Sequence, residues 1–307
     1  MIGKTYIDGI DIYSAYGIFI TKGGYNGLIT FPPLKKPDLN DWQEEDGIEV
    51  DLTNPKLDTK EFSITFAAHR QQKVQDFILQ ISDGAYHSFD LREIGQVFTL
   101  RMLSEPSREV MKSLEIFSLN FADDYPLKDY SYLPPVSSSV RQIGYTIGSK
   151  RLSEYGCWVL QGTESEIRKI PAVKQNLLRN NNSTAGAIYD PTVVTFQAKD
   201  VVINLSIMAG SLAEFWRNYK ALLYDLTRAG ENSIYSEITE ETYLFYYKSA
   251  SILDLNPSGS KIWCDFSVTI TLMDFEIIPD ATLLSCEDGI LINTEDGYFI
   301  NMEYLTY

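Results

Sequence analysis

The sequence predicts a mainly β fold with one flanking helix per domain (α+β), arranged as two tandem β-sandwich domains and a short C-terminal β-meander. Three observations predict it. First, one pattern occurs twice at an offset of 139: Tyr6, Gly9, Ser14, Tyr16 and Gly17 recur as Tyr145, Gly148, Ser153, Tyr155 and Gly156. Second, Phe62, Ile64 and Phe66 alternate with polar residues, and Val201, Ile203 and Leu205 do so 139 positions on, the period of a strand with one buried face. Third, each copy carries one apolar stripe at helical spacing, Val74, Phe77, Ile78 and Ile81 in the first and Leu212, Phe215, Trp216 and Tyr219 in the second.

The elements follow in order. Tyr6 to Ile20 reads as a hairpin with Asp8-Gly9 at its turn. A polar arm runs from Gly23 to Thr59 and carries Pro32-Pro33, Pro37 and the acidic run Glu44-Glu45-Asp46-Gly47. Within it Ile48, Val50 and Leu52 alternate, as an extended segment would. The strand Phe62–Phe66 and the helix at 74–81 come next, with Asp83-Gly84 as the helix stop. Phe98, Leu100 and Met102, then Phe117, Leu119 and Phe121, form the closing strands before Asp123-Asp124.

The second copy keeps this order. Its helix runs on through Leu222, Leu223 and Leu226 to Gly230, about two turns longer than the first at roughly 3.6 residues per turn. Tyr243, Phe245 and Tyr247, then Val268, Ile270 and Leu272, match the closing strands, with Asp274 in the place of Asp123. The second arm spans Gly162 to Asp190, and taking Pro171 as the match of Pro37 makes it about five residues longer.

The division expected is a first domain at 1–126, a Pro/Ser linker at 127–143 marked by Pro134-Pro135-Val136-Ser137, a second domain at 144–279 and a tail at 280–307. The tail repeats Glu287-Asp288-Gly289-Ile290-Leu291-Ile292-Asn293 as Glu295-Asp296-Gly297-Tyr298-Phe299-Ile300-Asn301, two Asp-Gly turns followed by apolar triplets. So small a meander has too little core to fold alone and should dock on a neighbour.

The net charge of −16, from 42 acidic and 26 basic residues, excludes a protein that grips nucleic-acid phosphates through clustered lysine and arginine. An acidic surface gives solubility, and it also lets DNA pass a conduit without sticking. No apolar run approaches a membrane span, and Met1-Ile2-Gly3-Lys4 leads straight into the first repeat without a secretory core. Cys157, Cys264 and Cys286 are dispersed and read as reduced, buried thiols.

Catalytic, cofactor-binding and metal-binding residues are all expected to be absent. The two histidines, His69 and His87, sit only in the first repeat and have no partners at metal or triad spacing; His69 reads as a turn residue. The stretch Asp38 to Gly47 fails the calcium-loop pattern, because Trp42 and Gln43 fall where a ligand and a glycine are needed; it reads as a solvated loop or a docking arm. Trp42, Trp158, Trp216 and Trp263 mostly fall on apolar stripes, which is core placement.

The first repeat resembles the ring-forming N-terminal domain of phage distal tail proteins. The resemblance rests on Tyr6 to Ile20 with Tyr16-Gly17-Ile18, the arm containing Pro37 to Leu52, an alternating strand, one amphipathic helix and a closing strand ending Leu119-Asn120-Phe121. It covers most of 1–126 and, through the repeat, 140–278. It implies a tail-tube-like sandwich, as in tube and baseplate-hub proteins, placed in the virion tail after synthesis in the host cytoplasm. Neighbours would be copies of the chain and adjacent tail proteins, in a trimer with pseudo-sixfold symmetry or a hexamer, with DNA passing through the lumen. Distal tail proteins usually carry one ring domain, whereas this chain repeats it. On this reading, removing residues 23–59 would leave a folded chain that no longer assembles. The competing reading is a non-catalytic double β-sandwich binding module for surfaces or carbohydrate.

Overall fold

The amphipathic strands pair into two antiparallel seven-stranded sheets, one per repeat, in a computed structural model that describes residues 1–69, 73–137, 144–174, 182–183, 185–186 and 194–273. The first half comprises β1 (Thr5–Ile7), β2 (Ile10–Asp11), α1 (Ile12–Tyr16), β3 (Ile18–Ile20), α2 (Asn26–Ile29), β4 (Leu39–Asn40), β5 (Glu49–Val50), β6 (Lys60–His69), α3 (Val74–Ile81), β7 (Tyr86–Leu91), β8 (Gln96–Val110) and β9 (Leu114–Asp123). The second comprises β10 (Tyr145–Ile147), β11 (Lys150–Arg151), a 3₁₀ turn (Leu152–Tyr155), β12 (Cys157–Val159), α4 (Thr163–Arg168), β13 (Lys199–Ala209), α5 (Leu212–Thr227), β14 (Asn232–Ser236), β15 (Glu241–Asn256) and β16 (Ile262–Leu272). The chain is thus mainly β, with α3 and α5 as the longer helices and α1, α2 and α4 as short ones.

The strand order is β2-β1-β7-β8-β9-β6-β3 in one sheet and β11-β10-β14-β15-β16-β13-β12 in the other, the same topology twice. Residues 12–17 join β2 to β3, which are opposite edges of one sheet. A flat sheet of seven strands would separate those edges by about 29 Å. Six residues reach at most about 21 Å. The sheet must therefore curl, and its concave side encloses the core. This corrects the expected Tyr6–Ile20 hairpin. Only β1 and β2 pair, Ile7 facing Ile10 across Asp8-Gly9, while β3 crosses to the far edge and pairs with β6.

The recurrent Tyr-Gly closes the intervening short helix. Gly17 (φ 68°) and Gly156 (φ 68°) both take the left-handed conformation as C-caps, a shape glycine adopts without a Cβ clash. At Gly156 an added Cβ would lie 2.5 Å from the Met208 carbonyl oxygen.

Inward-facing alternate residues fill the core. In the first half Ile64, Phe66, Phe89, Leu100, Phe117, Leu119 and Phe121 meet Phe77 and Ile81 of α3, with Phe66 stacked on Phe117 at 5.5 Å. In the second, Val201, Ile203, Phe245, Tyr247, Phe266, Val268 and Ile270 meet Phe215 and Tyr219 of α5. One apolar cluster runs through both halves, and Met1–Asp274 forms one compact unit.

Register refines the sequence alignment in three places. Ile7 faces Ile10 as Ile147 faces Lys150, so these hairpins match at an offset of 140, and the one-residue shorter 3₁₀ turn restores 139. Gly9 and Gly148 are therefore not equivalent, being the second and the first residue of their turns. Backbone bonds also place Pro171 opposite Pro32, not Pro37. Lys35 N–H donates to Lys56 O, as Lys174 N–H does to Thr195 O, and Asp58 N–H donates to Pro33 O, as Gln197 N–H does to Ala172 O. The two arms therefore have equal length. Finally, Lys199 faces Leu272 where Lys60 faces Asp123, which shifts the closing strands by two residues; Asp274 lies outside the described residues.

Candidate functional site: the clasp between the repeats

The first arm is not a free extension. Its base, α2, lies in the core with Leu28 and Ile29 buried, and Phe31 follows directly. Phe31 comes from the first half but packs in the second, with ring centroids 4.1 Å from Tyr219 and 5.8 Å from Phe266. Two buried phenols fix the backbone around it. Tyr219 Oη donates to Ile29 O at 3.0 Å and Tyr247 Oη to Pro32 O at 2.9 Å. Burial pushes both phenols up from the usual tyrosine range, so they remain donors at neutral pH. Leu34 N–H then donates to Lys248 O at 2.9 Å, at a bulge in β15.

Beyond Leu34 the arm turns back through the β4–β5 ladder, Leu39 facing Val50. Its tip seats on the base of the second arm. Lys174 Nζ, buried, donates to Trp42 O at 2.6 Å and Gly47 O at 2.8 Å and pairs with Asp41 at 2.7 Å. Phe196 N–H donates to the Asp46 carboxylate at 2.7 Å, and Thr195 Oγ1 to Gln43 O at 2.8 Å. On the return, Ile48 N–H donates to Met273 O, and Leu52 packs with Tyr246 and Met273. The acidic stretch 38–47 is thus a docking arm whose partner is the second half of its own chain. Removing 23–59 would take α2, Phe31 and Leu52 out of the core, so the expectation of a folded deletion product is corrected.

The 127–137 segment is a strap rather than a free spacer. It lies along α5, where Val136 exchanges hydrogen bonds with the buried Asn218 side chain at 2.8 and 2.9 Å, and Arg217 Nε donates to Pro134 O at 2.7 Å. Tyr132 Oη reaches Asp225, which also accepts from Lys150 and Tyr155. Residues 138–143 lie outside the described residues.

His87 and His69 are not brought together. His69 ends β6, exposed and facing Leu114, and is a strand residue rather than a turn residue. His87 is buried, its Nδ1 2.6 Å from Asp8 Oδ2 and its Nε2 3.0 Å from Asp83 Oδ1. Burial alone would lower its pKa; Asp8 and then Asp83 outweigh that and raise it above the usual value. Asn232 holds the equivalent position in the second half and accepts from Arg228 at 3.3 Å. Both nitrogens face carboxylates, so His87 is a structural tie at the β1–β2 turn.

Among the described residues no group of three or more His, Cys, Asp or Glu converges as metal ligands would, and no helix is long and apolar enough to cross a membrane. Cys157 and Cys264 are buried free thiols with pKa values pushed up by burial; Cys286 lies outside the described residues, as does the 280–307 tail. Only Trp216 among the tryptophans is buried, with Nε1 on Ile94 O at 2.6 Å; Trp42 is half exposed, and Trp158 and Trp263 are partly covered. A crevice of about 770 Å³ beside the clasp is lined by Lys60, Lys128, Arg217 and Lys220 against Asp123 and Asp129, without histidine or cysteine.

Comparison with known proteins adds little to this geometry. No protein-family model matches the chain, and no curated protein matches it. Among solved structures it is similar to the Dit protein of phage SPP1, a hub adsorption-apparatus protein of phages infecting Gram-positive bacteria, at a TM-score of 0.34 and 16% identity over 44% of this chain and 51% of that one. A likeness that loose carries neither the fold nor the function.

Proposed function

We propose that the chain is a structural component of a phage or prophage tail, a distal-tail or baseplate ring or hub around the DNA conduit, acting by assembly and not by catalysis. One observation carries this reading: one chain holds two sheets of identical strand order, and the arm of the first is built into the core of the second. That is the contact a ring of repeated units needs between neighbours, here made once within a chain. The parts are two tube-like domains at 1–126 and 144–279, the Pro/Ser linker at 127–143 and a tail at 280–307 that meets adjacent tail proteins. Self-association gives a trimeric, pseudo-sixfold ring or a hexamer, located in the virion. The net charge of −16 suits a lumen past which DNA slides without counterion release.

Negative-stain electron microscopy of the full chain, concentrated well above micromolar, tests this. Rings with a central hole are expected, and their diameter separates three chains from six. Single-chain particles at every concentration would overturn the reading.

A further inference from the structure

The clasp has two halves, and among the described residues each has counterparts in the other repeat that face solvent. The arm side in the first half consists of Phe31, Pro32 and Leu34. By the matched backbone bonds its equivalents are Ile170, Pro171 and Val173, and the bridge Leu34–Leu57 recurs as Val173–Phe196. Phe31 is 3% exposed because it sits in the other half; Ile170 is 71% exposed and Val173 43%. At the arm tip Gly47 (φ 67°) has its counterpart in Gly186 (φ 81°).

The receiving side recurs in the opposite sense. Lys174, buried, grips the first arm's tip, and its equivalent Lys35 is exposed on the first half. Lys248, whose carbonyl takes Leu34 N–H at the β15 bulge, is matched by Leu103. Both sit inside a register shift at the same place, between Met102 and Ser104 in β8 and between Tyr247 and Ser249 in β15. Leu103 is an exposed apolar residue.

We infer that the Ile170–Val173 rim of one copy docks on the Lys35 and Leu103 edge of a second copy of this chain, repeating between chains the clasp made within each. The partner is a second copy because each exposed half occupies the same place in its repeat as a half that already pairs within the molecule. The contact is head-to-tail, so it propagates, closing into a ring or running on as a filament. It is also more polar than its internal counterpart, since Tyr246 and Met273 beneath Leu52 are replaced by Arg101 and Asp124, joined by a hydrogen-bonded ion pair. An interface between separately soluble chains has that character. The inference rests on the proposed function and names the self-contact it requires.

The test uses the full-length chain and two substitutions at exposed sites, Ile170→Asp on the arm side and Lys35→Glu on the receiving side. Circular dichroism and the unfolding midpoint should match the wild type for both. Each alone should weaken self-association by about tenfold or more in sedimentation velocity. Mixing the two should restore dimers and nothing larger, since one intact junction survives between them. Wild-type assembly that persists unchanged in both variants would overturn the interface while leaving the tail-ring reading standing. Filaments abolished by either substitution would support the interface and overturn the ring. A wild type that stays monomeric at every concentration would overturn both.

Discussion

Lys60 and Lys199, 139 residues apart, perform the same task in the two halves. Lys60 Nζ donates to Leu28 O at 2.5 Å and Thr30 O at 3.1 Å, closing the C-terminal end of α2. Lys199 Nζ donates to Ile167 O and, at 2.5 Å, to Lys169 O, closing α4. The carbonyl oxygens left over at a helix end need donors, and a cation at that end also meets the helix dipole. Both lysines begin the strand that carries the core, so each ties the base of its arm to its sheet.

Lys60→Met should therefore destabilise the chain, leaving two carbonyls unpaired at about 1–3 kcal/mol, partly offset by removal of a buried charge. Burial lowers the Lys60 pKa to about 8, against a smaller opposing pull from Asp123. Between that value and about 10.4, the ordinary lysine value, the unfolded chain binds the proton and the folded chain does not, so stability rises with pH. The deficit of the variant should widen between pH 8 and 10 in urea titrations. A deficit that is flat or narrows would show that Lys60 keeps an ordinary pKa.

His87 has the opposite sign. Its folded pKa is raised, so its contribution is fully present below the unfolded value of about 6.5 and is lost as pH rises through the folded value. Wild type should lose stability across that window relative to His87→Asn, which installs the residue found at the equivalent position, Asn232. Parallel pH profiles for the two proteins would remove the imidazolium tie.

Phe31→Ala should cost about 3–5 kcal/mol, the range for truncating a buried aromatic. The fluorescence of Trp216, which packs against Tyr219 beneath Phe31, should report unfolding at lower urea. A loss under 1 kcal/mol, by the same scale, would mean that the two halves do not share one core.

Lys174→Met should loosen the arm tip without unfolding the sheets, because it frees the Trp42 and Gly47 carbonyls and the half-exposed Asp41. Limited proteolysis should cut near 41–47 in the variant before anywhere in β6 or β13. Equal cleavage rates in both proteins would place the tip's stability elsewhere.

Gly156→Ala should cost about 1–3 kcal/mol, from the left-handed backbone and the close Met208 carbonyl together. A variant as stable as the wild type in urea would show that the turn relaxes freely.

The sequence by itself determined the main strands, the two longer helices and their repetition. Strand alternation at Phe62–Phe66 and Val201–Leu205, the stripes of α3 and α5, and the Asp8-Gly9 turn are encoded by neighbours a few residues apart, where propensity and period act directly. Tertiary structure decided what those elements meet. The sequence could not show that β3 leaves the hairpin for the opposite edge, that Gly9 and Gly148 differ by one turn position, or that Pro171 answers Pro32. Each depends on backbone register, and an identity between aligned letters does not report register. Nor could it show the clasp, in which Phe31 meets Phe266 and Asp41 meets Lys174. Those contacts join residues far apart in the chain, and their free energy comes from burying surfaces that look like ordinary polar arm and strand edge until the two halves are brought together.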